Sequence, residues 1–451
     1  MKKLLLISLI LILVFSFAIT GLAKVNLIFW AYPYYTDPDK ENGWYERRII
    51  SEFQEVYPEV EIELQLLPWT DGPAKVAMAI ATGTTPDIII DGDNRIMSYA
   101  AAGALSDFED TMDAEEQADH YPSVLERVKF GGKVYMYLTF AGASGFEFNR
   151  FVVEKAGAMD LLPLDREDRS WTHEEFKKLC LKIAEANIPD TYVWTFHFAD
   201  SNCMQHYIKH MHQSFGAVPF VIEDGKYRCT LNSPEAIEGL EWYLELYNTP
   251  GVGMPGAESR DCTYYTDYFF NGQLACTFEG GMPASVMGAR ADAVVASKVD
   301  HIIVCNPNKE GAEPITFVAL GGLGVFKSTP EKEKYAKLFA EFFATRPYMW
   351  EVTKVHCPPR KSSYDPDSPL YQTSPYPPGD TEIEFVLNWA EYMKVVSTGT
   401  NCPIYQQYRE TYAAVMQGVF IGELTPKEGL DIVVERVNKL LDDYYEENPV
   451  E

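Results

Sequence analysis

The chain has 451 residues and a formal net charge of −28, from 66 acidic and 38 basic side chains. A chain this acidic repels nucleic-acid phosphates and anionic lipid headgroups, because binding to either depends on Lys and Arg contacts. Hydrophobic residues make up 47% of the chain and aromatic residues 14%, which excludes a disordered polymer. Length and composition together indicate two or three domains with sizeable cores.

Residues 1–23 have the pattern of a cleavable export signal. Lys2 and Lys3 provide a positive start, an apolar run extends over residues 4–20, and small residues end the segment. The alternative is a retained membrane anchor, since the apolar run is close to the lower limit of a spanning length. The pattern predicts a periplasmic protein, and no lipid anchor is expected because no Cys follows the apolar run.

Eight cysteines are spread along the chain, and export would permit them to form disulfides. None forms a C-x-x-C pair, so neither a zinc ribbon nor a thioredoxin-like site is predicted. Several, such as Cys180 and Cys276, lie in apolar segments, where a buried free thiol is as compatible with the sequence as a disulfide is. The pairing stays open.

The chain after the export signal opens with a strand, a helix and a second strand. Val25–Trp30 is a short apolar run typical of a buried strand. Apolar residues at helical spacing over Ile49–Val56 predict a helix that ends before Pro58. Residues 60–66 then alternate apolar with polar side chains, which predicts a strand.

A second unit of the same kind follows. A helix is predicted around Ala74–Thr82, and Pro86–Ile90 reads as a fully apolar strand. The order βαβαβ predicts a parallel sheet wound with helices, in which ligands bind at the carboxyl ends of the strands. The loops expected at those ends are Trp30–Tyr35 and Asp91–Arg95.

Three later helices are indicated by their first residues. Thr172 precedes Glu175 by three positions, which is a capping box, and Thr329 and Thr425 each precede a Pro at a predicted helix start. Strand and helix patterns alternate along the whole chain with no obvious linker. This organisation suits two lobes, each assembled from discontinuous pieces.

Short sequence blocks occur in a characteristic order. F-x-x-x-x-P-x-V-x-I spans Phe53–Ile62, G-x-x-P-D-I spans Gly83–Ile88, and Ser170–Phe176 is close to T-W-E-E-F. Further blocks are Gly103–Asp107, Gly132–Arg150, Tyr268–Cys276, Gly321–Val325 and Gly422–Leu430. Taken in order, these blocks resemble the extracellular solute-binding proteins of ABC transporters, family 1, the maltose-binding-protein-like group.

Three positions depart from the pattern of this family. Leu138 replaces a Pro in the crossover strand, and Gly142 stands where the family carries a carboxylate that contacts the sugar. Met282 replaces a Trp that often stacks on the ligand. The resemblance therefore implies a solute that is held differently from maltose.

The resemblance implies an α/β, periplasmic-binding-protein-like fold, with two discontinuous lobes joined by hinge crossings and a ligand cleft between them. Lobe one would comprise residues 24–138 plus 305–345, and lobe two residues 139–304 plus 346–451. The crossings are expected near 135–141, near 301–308 and after the helix at 330–344.

The resemblance also implies a function. The protein would be the substrate-binding component of an ABC importer, which captures a carbohydrate or sugar-like polyol and delivers it to the permease subunits. Such a protein binds and releases its solute unchanged, so no enzyme activity, cofactor or metal is expected. The expected form is a monomer.

Sugars present hydroxyl groups and apolar C–H faces, which proteins meet with planar polar groups and aromatic rings. In the first loop the candidates for ligand contact are Trp30, Tyr32, Tyr34 and Tyr35, with ordinary core packing as the alternative. In the second loop they are Asp91, Asn94 and Arg95, with an Asx turn that caps the next helix as the alternative. Asn94 and Arg95 stand where the resemblance places an Asp-Arg pair that contacts sugar.

The second lobe supplies further candidates. By the resemblance, residues 194–202 provide stacking and acidic contacts, and the candidates there are His197, Asp200 and Asn202, with a plain turn as the alternative. Glu279 and Met282 stand at the loop of the stacking aromatic residue. The late candidates are Arg360, Tyr405 and Arg409, with surface solvation or a salt bridge as the alternative.

An anionic sugar derivative, such as a sugar or polyol phosphate, is the alternative to a neutral carbohydrate. Arg95, His197, Arg360 and Arg409 together would suit it, because Arg pairs with phosphate through two hydrogen bonds.

Functions outside solute binding have less support. A secreted carbohydrate-active enzyme needs two placed carboxylates, and no spacing singles them out; neither G-x-S-x-G nor a P-loop occurs. His206 and His210 are spaced to share a metal, but without an H-E-x-x-H pattern they are expected to be ordinary helix histidines. An extracellular sensor or adhesin is the third hypothesis.

Overall fold

The computed structural model describes most of the chain. The described residues are 24–35, 40–68, 71–201, 204–261, 268–280, 301–346, 358–371, 385, 393–399 and 401–448. Every structural statement below concerns these residues.

The strands and helices alternate along the described chain. The strands are β1 (Val25–Ala31), β2 (Val60–Leu66), β3 (Ile88–Gly92), β4 (Leu105–Ser106), β5 (Lys129–Phe130), β6 (Lys133–Val134), β7 (Tyr137–Asn149), β8 (Phe220–Glu223), β9 (Lys226–Cys229), β10 (Cys276–Gly280), β11 (His301–Val304), β12 (Ile315–Phe326) and β13 (Lys394–Val395). The α-helices are α1 (Trp44–Val56), α2 (Gly72–Thr82), α3 (Asp93–Ala101), α4 (Ala114–Ala118), α5 (Pro122–Leu125), α6 (Arg150–Lys155), α7 (His173–Glu185), α8 (Met204–Met211), α9 (Pro234–Tyr247), α10 (Pro330–Ala344), α11 (Tyr405–Phe420) and α12 (Pro426–Glu447).

The first three strands form the parallel unit that the sequence predicts. Strand β1 pairs in parallel with β2 on one side and with β3 on the other. Strand β3 is buried along its whole length, which explains why its sequence is apolar rather than alternating. The predicted βαβαβ arrangement is confirmed.

Two long antiparallel strands extend this sheet. Strand β12 pairs with β3 and also with the first half of β7, and the second half of β7 pairs with β10 and β11. Buried apolar side chains form two main clusters, which we call the cores of lobe one and lobe two. The first draws mainly on residues 25–141 and 318–344, and the second mainly on residues 146–278 and 402–445. Strand β7 therefore runs from one core into the other.

The exact lobe boundaries stay a prediction. The prediction assigns residues 346–451 to lobe two, and one contact of this segment can be compared with that assignment. Arg360 forms ion pairs with Glu116 and Asp119, which lie in and just after α4, beside the core of lobe one. This part of the late chain is thus attached to lobe one.

A close approach of strands β7 and β12 depends on glycine. Gly321 is paired with Phe140, and a Cβ atom at Gly321 would lie 1.8 Å from Cζ of Phe140. The absent side chain allows the Phe140 ring to lie across β12, where its centroid is 5.1 Å from that of Tyr34. Glycine in the crossing strands therefore positions an aromatic residue of the first loop.

Local signals at the helix starts are confirmed. Thr172 accepts a hydrogen bond from the Glu175 backbone N–H, and the Glu175 carboxylate accepts one from the Thr172 N–H at 2.8 Å. The same reciprocal capping box opens α12 at Thr425. The expected loop over Asp91–Arg95 is wrong, because β3 ends at Gly92 and α3 begins at the next residue.

Five of the eight cysteines lie in the described chain, and these are buried free thiols: Cys180, Cys229, Cys276, Cys305 and Cys402. Burial raises the pKa of each thiol, which keeps it protonated at neutral pH. Cys203, Cys262 and Cys357 lie outside the described residues. Among the helices described here, none is both long enough and apolar enough to cross a membrane.

Candidate functional site

The direct passage from β3 into α3 places Asp91 one helical turn before Arg95. Nε of Arg95 lies 2.8 and 2.9 Å from the two carboxylate oxygens of Asp91, and the Tyr99 hydroxyl donates to the same carboxylate at 3.0 Å. Asp91 is fully buried. Burial alone would lower the pKa of Arg95, but the Asp91 carboxylate raises it well above its usual value. Arg95 is therefore a fixed cation at the carboxyl end of the parallel strands.

Two tyrosines of the first loop join this pair. The Tyr34 hydroxyl lies 3.4 Å from Oδ1 of Asp91 and 3.4 Å from Nη2 of Arg95. The Arg95 guanidinium also lies 4.8 Å from the ring centroid of Tyr32. Burial and the Asp91 carboxylate raise the pKa of both phenols, so both keep their protons and can donate hydrogen bonds.

The remaining first-lobe candidates are placed differently. Trp30 is buried in β1, where its Nε1 donates to Oε1 of Gln65 at 3.0 Å. The Tyr35 hydroxyl donates to Oγ1 of Thr139 at 3.0 Å, and its ring packs on Tyr45 in the core of lobe one. Tyr32, Asp91 and Arg95 are thus brought together, whereas Trp30 and Tyr35 belong to the core of lobe one.

Asn94 lies half-buried in the first turn of α3, beside Arg95. Its Oδ1 lies 2.9 Å from the position that a Cβ atom at Gly92 would occupy. A side chain at residue 92 would therefore displace the Asn94 amide. The structure places Asn94 at the same strand end as Asp91 and Arg95.

A second buried ion pair lies next to the first and was not predicted. Arg127 donates to the Asp93 carboxylate and to the carbonyl oxygen of Val318, and its guanidinium lies 4.5 Å from the ring centroid of Phe317. Burial raises the pKa of Asp93, and Arg127 opposes that rise. Asp93 thus links the start of α3 to the crossing strand β12.

In lobe two, α11 holds the predicted segment around Asp200. Nε and Nη2 of Arg409 donate to the Ser201 carbonyl oxygen at 3.0 and 2.5 Å, and Nε2 of Gln406 donates to the Ser201 hydroxyl at 3.2 Å. His197 is buried, with its Nδ1 2.5 Å from the Tyr207 hydroxyl. His197, Asp200 and Arg409 therefore belong to one neighbourhood.

Tyr405 stands at the start of α11 and faces the same neighbourhood. Its hydroxyl lies 2.9 Å from Oγ1 of Thr398, and the Arg409 guanidinium lies 5.7 Å from its ring centroid. Tyr405 is buried, and the charges of Asp93 and Arg127 both act on its hydroxyl. This places Tyr405 at the boundary between the lobes.

A groove of about 450 Å³ separates α2 and α3 of lobe one from α11 and α12 of lobe two. Its polar lining combines Arg95 and Ser98 on one side with Gln406, Gln407 and Glu410 on the other. The remaining lining residues are Pro73, Ala77, Ile80, Tyr99, Ala101, Ala102, Pro403, Ile404 and Tyr444. Charged, amide and aromatic groups on opposed walls can hydrogen-bond a hydroxylated solute and cover its apolar faces.

The other predicted residues lie elsewhere. Arg360 is buried against Glu116 and Asp119 in lobe one, and nothing in the described chain connects it to the groove. Glu279 lies on β10, but its side chain, like all of Asn202 and Met282, lies outside the described part of the chain.

His210 of α8 and His212, the residue after that helix, are buried and hydrogen-bonded to lobe-two groups. Nε2 of His210 lies 3.0 Å from the Phe278 carbonyl oxygen, and His212 lies 2.9 Å from the Ala236 carbonyl oxygen and 2.8 Å from the Tyr412 hydroxyl. Within the described residues, no group of three His, Cys, Asp or Glu side chains is arranged to hold a metal.

Sequence reasoning missed the ion pair of Asp93 with Arg127, and it missed Tyr99 and the glutamines of α11. One signal was available: Asp91, Arg95 and Tyr99 recur every four residues, so they share one face once the helix begins at residue 93. Arg127 is 34 residues from Asp93, and no local pattern indicates that pairing.

Two lobes that share crossing strands, with a groove beside the carboxyl ends of the parallel strands, define the periplasmic-binding-protein-like fold. The family model for bacterial extracellular solute-binding proteins matches residues 38–350. The chain belongs to this family, as its sequence blocks predict.

Solved structures with this fold cover nearly the whole chain. An ABC transporter solute-binding protein from Thermotoga lettingae, bound with α-D-tagatose, is 22% identical with a TM-score of 0.73, over 93% of this chain and 100% of that one. An ABC substrate-binding protein from Listeria monocytogenes, in complex with cycloalternan, is 19% identical with a TM-score of 0.71, over 93% and 99%. A solute-binding protein from Agrobacterium radiobacter, in complex with ribitol, is 19% identical with a TM-score of 0.70, over 93% and 99%.

Proposed function

We propose that this protein captures a carbohydrate or sugar-like polyol between its lobes and delivers it to the permease subunits of an ABC importer. The observation that carries the proposal is the groove that joins Arg95 of lobe one to Gln406 and Glu410 of lobe two. Membership of the solute-binding family and the sugars and polyol bound by proteins of the same fold support it.

The mechanism we infer is closure of the two lobes around the solute. A solute that contacts both walls binds the closed form more tightly than the open form, and this difference in affinity shifts the population towards closure. The permease then recognises the closed, loaded form. The protein acts by binding alone, as an exported monomer in the periplasm after loss of residues 1–23.

Arg95 is the groove-lining group of lobe one that we expect to contact the solute, and Tyr34 and Tyr32 lie against its guanidinium. On the other wall we assign Gln406 and Glu410, with His197, Asp200, Tyr405 and Arg409 behind them. The Tyr34 hydroxyl has a defined position because it lies between Asp91 and Arg95.

Calorimetric titration of the exported chain with monosaccharides, oligosaccharides, polyols and sugar phosphates tests the proposal. We expect at least one of them to bind with measurable heat and to raise the melting temperature. Tyr34→Phe should weaken that binding about tenfold, because Arg95 loses the hydroxyl group that lies 3.4 Å from its Nη2 and helps to hold it at the groove.

Tyr371→Phe, which removes the hydroxyl of an exposed tyrosine outside the groove lining, is the matched control and should leave affinity unchanged. The absence of heat and of a thermal shift across all four solute classes would contradict the proposal.

A further inference from the structure

A second cavity lies beside the core of lobe two, at the start of α7. Its volume is about 410 Å³, which is within the range of small-molecule sites. Its walls come from the first turn of α7, the turn after α8, helix α9 and the segment between β11 and β12. It shares no lining residue with the groove between the lobes, so the proposed solute site does not account for it.

Three rings form the aromatic part of the cavity wall. The His173 imidazole stacks on the Phe215 ring with their centroids 3.9 Å apart, and the Trp242 centroid lies 5.2 Å from that of His173 and 5.9 Å from that of Phe215. His173 and Phe215 are buried, whereas Trp242 is half-buried. Because the two buried rings support it, Trp242 presents a fixed indole surface at the cavity.

The hydrogen bonds of Ser214 determine which ring nitrogen of His173 carries the proton. The Ser214 hydroxyl donates to the carbonyl oxygen of His210, so its oxygen accepts from Nε2 of His173 at 3.0 Å. Nδ1 is therefore an acceptor, and it accepts no hydrogen bond from the described residues. Burial, with a smaller effect of Lys309, lowers the pKa of His173 from 6.5 to about 3, which keeps the ring neutral.

Asn308 supplies a second neutral acceptor to the cavity wall. Only 3% of the residue is exposed; Nδ2 donates to the Asn306 carbonyl oxygen at 2.7 Å, and Oδ1 has no hydrogen-bond partner in the described chain. The Asn308 backbone is bonded to Trp171 and to His173, both at 3.1 Å, which fixes it against the start of α7. A buried acceptor without a partner is costly, and a ligand hydroxyl can satisfy it.

The charged side chains of the cavity lie at its exposed rim. Lys309 donates to the Glu238 carboxylate at 2.7 Å, and both side chains are exposed, as are Glu174, Lys178 and Glu310. Water and salt screen charges in such positions, so the rim selects weakly for charge. The buried part of the wall is neutral. It combines rings with acceptors, which suits the C–H faces and the hydroxyl groups of a sugar.

We infer that this cavity is a second carbohydrate-binding site, in which a neutral sugar ring packs on Trp242 and donates hydroxyl hydrogen bonds to Nδ1 of His173 and Oδ1 of Asn308. An apolar ligand would leave both acceptors without partners, and an anion would meet acceptors only. The inference goes beyond the proposed function, because this sugar is held outside the groove and its site does not require closure of the lobes.

Nuclear magnetic resonance of the full exported chain with isotope-labelled tryptophan tests the inference. The indole N–H signal of Trp242 is identified as the one that disappears in Trp242→Leu. The neutral probes are glucose, galactose, xylose, maltose and cellobiose, and the charged probes are glucosamine and glucuronate. We expect at least one neutral sugar to shift the Trp242 signal to saturation, and neither charged probe to bind more tightly than that sugar.

Two variants test the assigned contacts. His173→Phe keeps a ring on Phe215 and removes the acceptor, and Asn308→Ala removes the other acceptor. Each should weaken the titration of the Trp242 signal about fivefold or more, because one hydrogen bond to the sugar is lost. Thermal melting of each variant checks that it is folded.

Equilibrium dialysis with the same sugar counts the sites. The amount bound at saturation should fall by one molecule per chain in Trp242→Leu. Trp44→Leu is the matched control, since Trp44 is also a half-buried tryptophan but lies on α1 of lobe one, and it should leave the amount unchanged.

The outcomes separate this inference from the proposed function. A Trp242 signal that no neutral sugar shifts, or that only a charged probe shifts, overturns the second site and leaves binding at the groove untouched. An unchanged titration in both His173→Phe and Asn308→Ala overturns the assigned contacts. Tyr34→Phe, which should weaken binding at the groove, should leave the titration of Trp242 as it is in the wild type.

Discussion

Nε of Arg95 lies 2.8 and 2.9 Å from the two carboxylate oxygens of Asp91, four residues before it. The pair forms because β3 enters α3 without a loop, which turns an i,i+4 spacing into a direct contact. Asp91 is fully buried, and Arg95 reaches the groove between the lobes. The buried Asp91 carboxylate thus fixes the direction in which the Arg95 guanidinium points at the groove.

Removal of Arg95 should destabilise the protein strongly. Arg95→Leu leaves the Asp91 carboxylate buried without its cation, which costs about 3 kcal/mol or more in free energy of unfolding. Arg48→Leu is a matched control, because Arg48 pairs with Glu52 at the same spacing on a solvent-accessible helix face, and its loss should cost at most about 0.5 kcal/mol. Urea unfolding at neutral pH measures both.

The double variant Asp91→Asn with Arg95→Gln removes both charges and should recover part of the stability lost by Arg95→Leu. Equal losses in Arg95→Leu and Arg48→Leu would show that the buried pair contributes no more than a surface pair.

Glu46 should make the protein less stable as pH rises towards neutrality. It is buried in the first turn of α1, neither carboxyl oxygen has a hydrogen-bond partner in the described chain, and burial raises its pKa from 4.5 to about 7. The folded state therefore holds its proton more tightly than the unfolded state. Its contribution is complete below pH 4.5 and falls by about 3 kcal/mol as pH rises to 7.

Glu46→Gln removes this titration. The free energy of unfolding of the variant should therefore rise relative to that of the wild type by up to about 3 kcal/mol between pH 4.5 and 7. Urea unfolding at several pH values measures the difference. Glu55→Gln, on an exposed position of the same helix, should show a difference from the wild type that does not vary with pH. A pH-independent difference for Glu46→Gln as well would refute the assignment.

His212 should make the protein less stable as pH falls, which is the reverse of the effect of Glu46. Burial lowers its pKa from 6.5 to about 4, against the smaller raising effect of the Ala236 carbonyl. The unfolded state therefore binds the proton more tightly, and stability is complete above pH 6.5 and falls by about 3 kcal/mol as pH drops to 4. Relative to the wild type, His212→Gln should be destabilised at pH 7, and that deficit should shrink as pH falls.

Tyr412→Phe is the control for His212, since it removes the hydroxyl that contacts Nε2 and keeps the imidazole. Its free energy of unfolding should stay parallel to that of the wild type across the same pH range. If His212→Gln runs parallel too, His212 is not the group that titrates.

Structural features that depend on residues close together in the sequence can be predicted from the sequence. The crossing strand near residue 137 was expected from the family resemblance, and strands β1 to β3 and the helix starts at Thr172 and Thr425 follow from local spacing. The contacts of Phe317 with Arg127 and His206 do not, because they join segments that are far apart in sequence. Such pairings depend on how the two lobes are placed.

The same limit applies to the predicted site. Arg95 was selected from a local motif and does line the groove, whereas Arg360 was selected for its charge and proves to be buried against Glu116. His206 was interpreted as an ordinary helix histidine because no H-E-x-x-H pattern occurs, and in the structure its ring meets that of Phe317 on β12. Residue type and spacing contain no information about that contact.

Alanine substitutions at two glycines of β12 should differ in whether truncation of a neighbouring side chain removes the steric clash. Gly321→Ala places a methyl carbon 1.8 Å from the tip of the Phe140 ring, which is packed against Tyr34 and Tyr35, so about 2 kcal/mol should be lost. In a Phe140→Ala background the ring is gone, and Gly321→Ala should cost little further stability. A double-mutant cycle by urea unfolding measures this coupling.

Gly322→Ala is the matched control in the next position. There the new methyl carbon would lie 2.2 Å from the backbone carbonyl oxygen of Tyr137, which no side-chain truncation removes. Its cost should therefore be larger and should persist unchanged in the Phe140→Ala background. Since Phe140 supports Tyr34, Gly321→Ala should also weaken solute binding, and coupling of equal size at both glycines would contradict this account of the crossing strands.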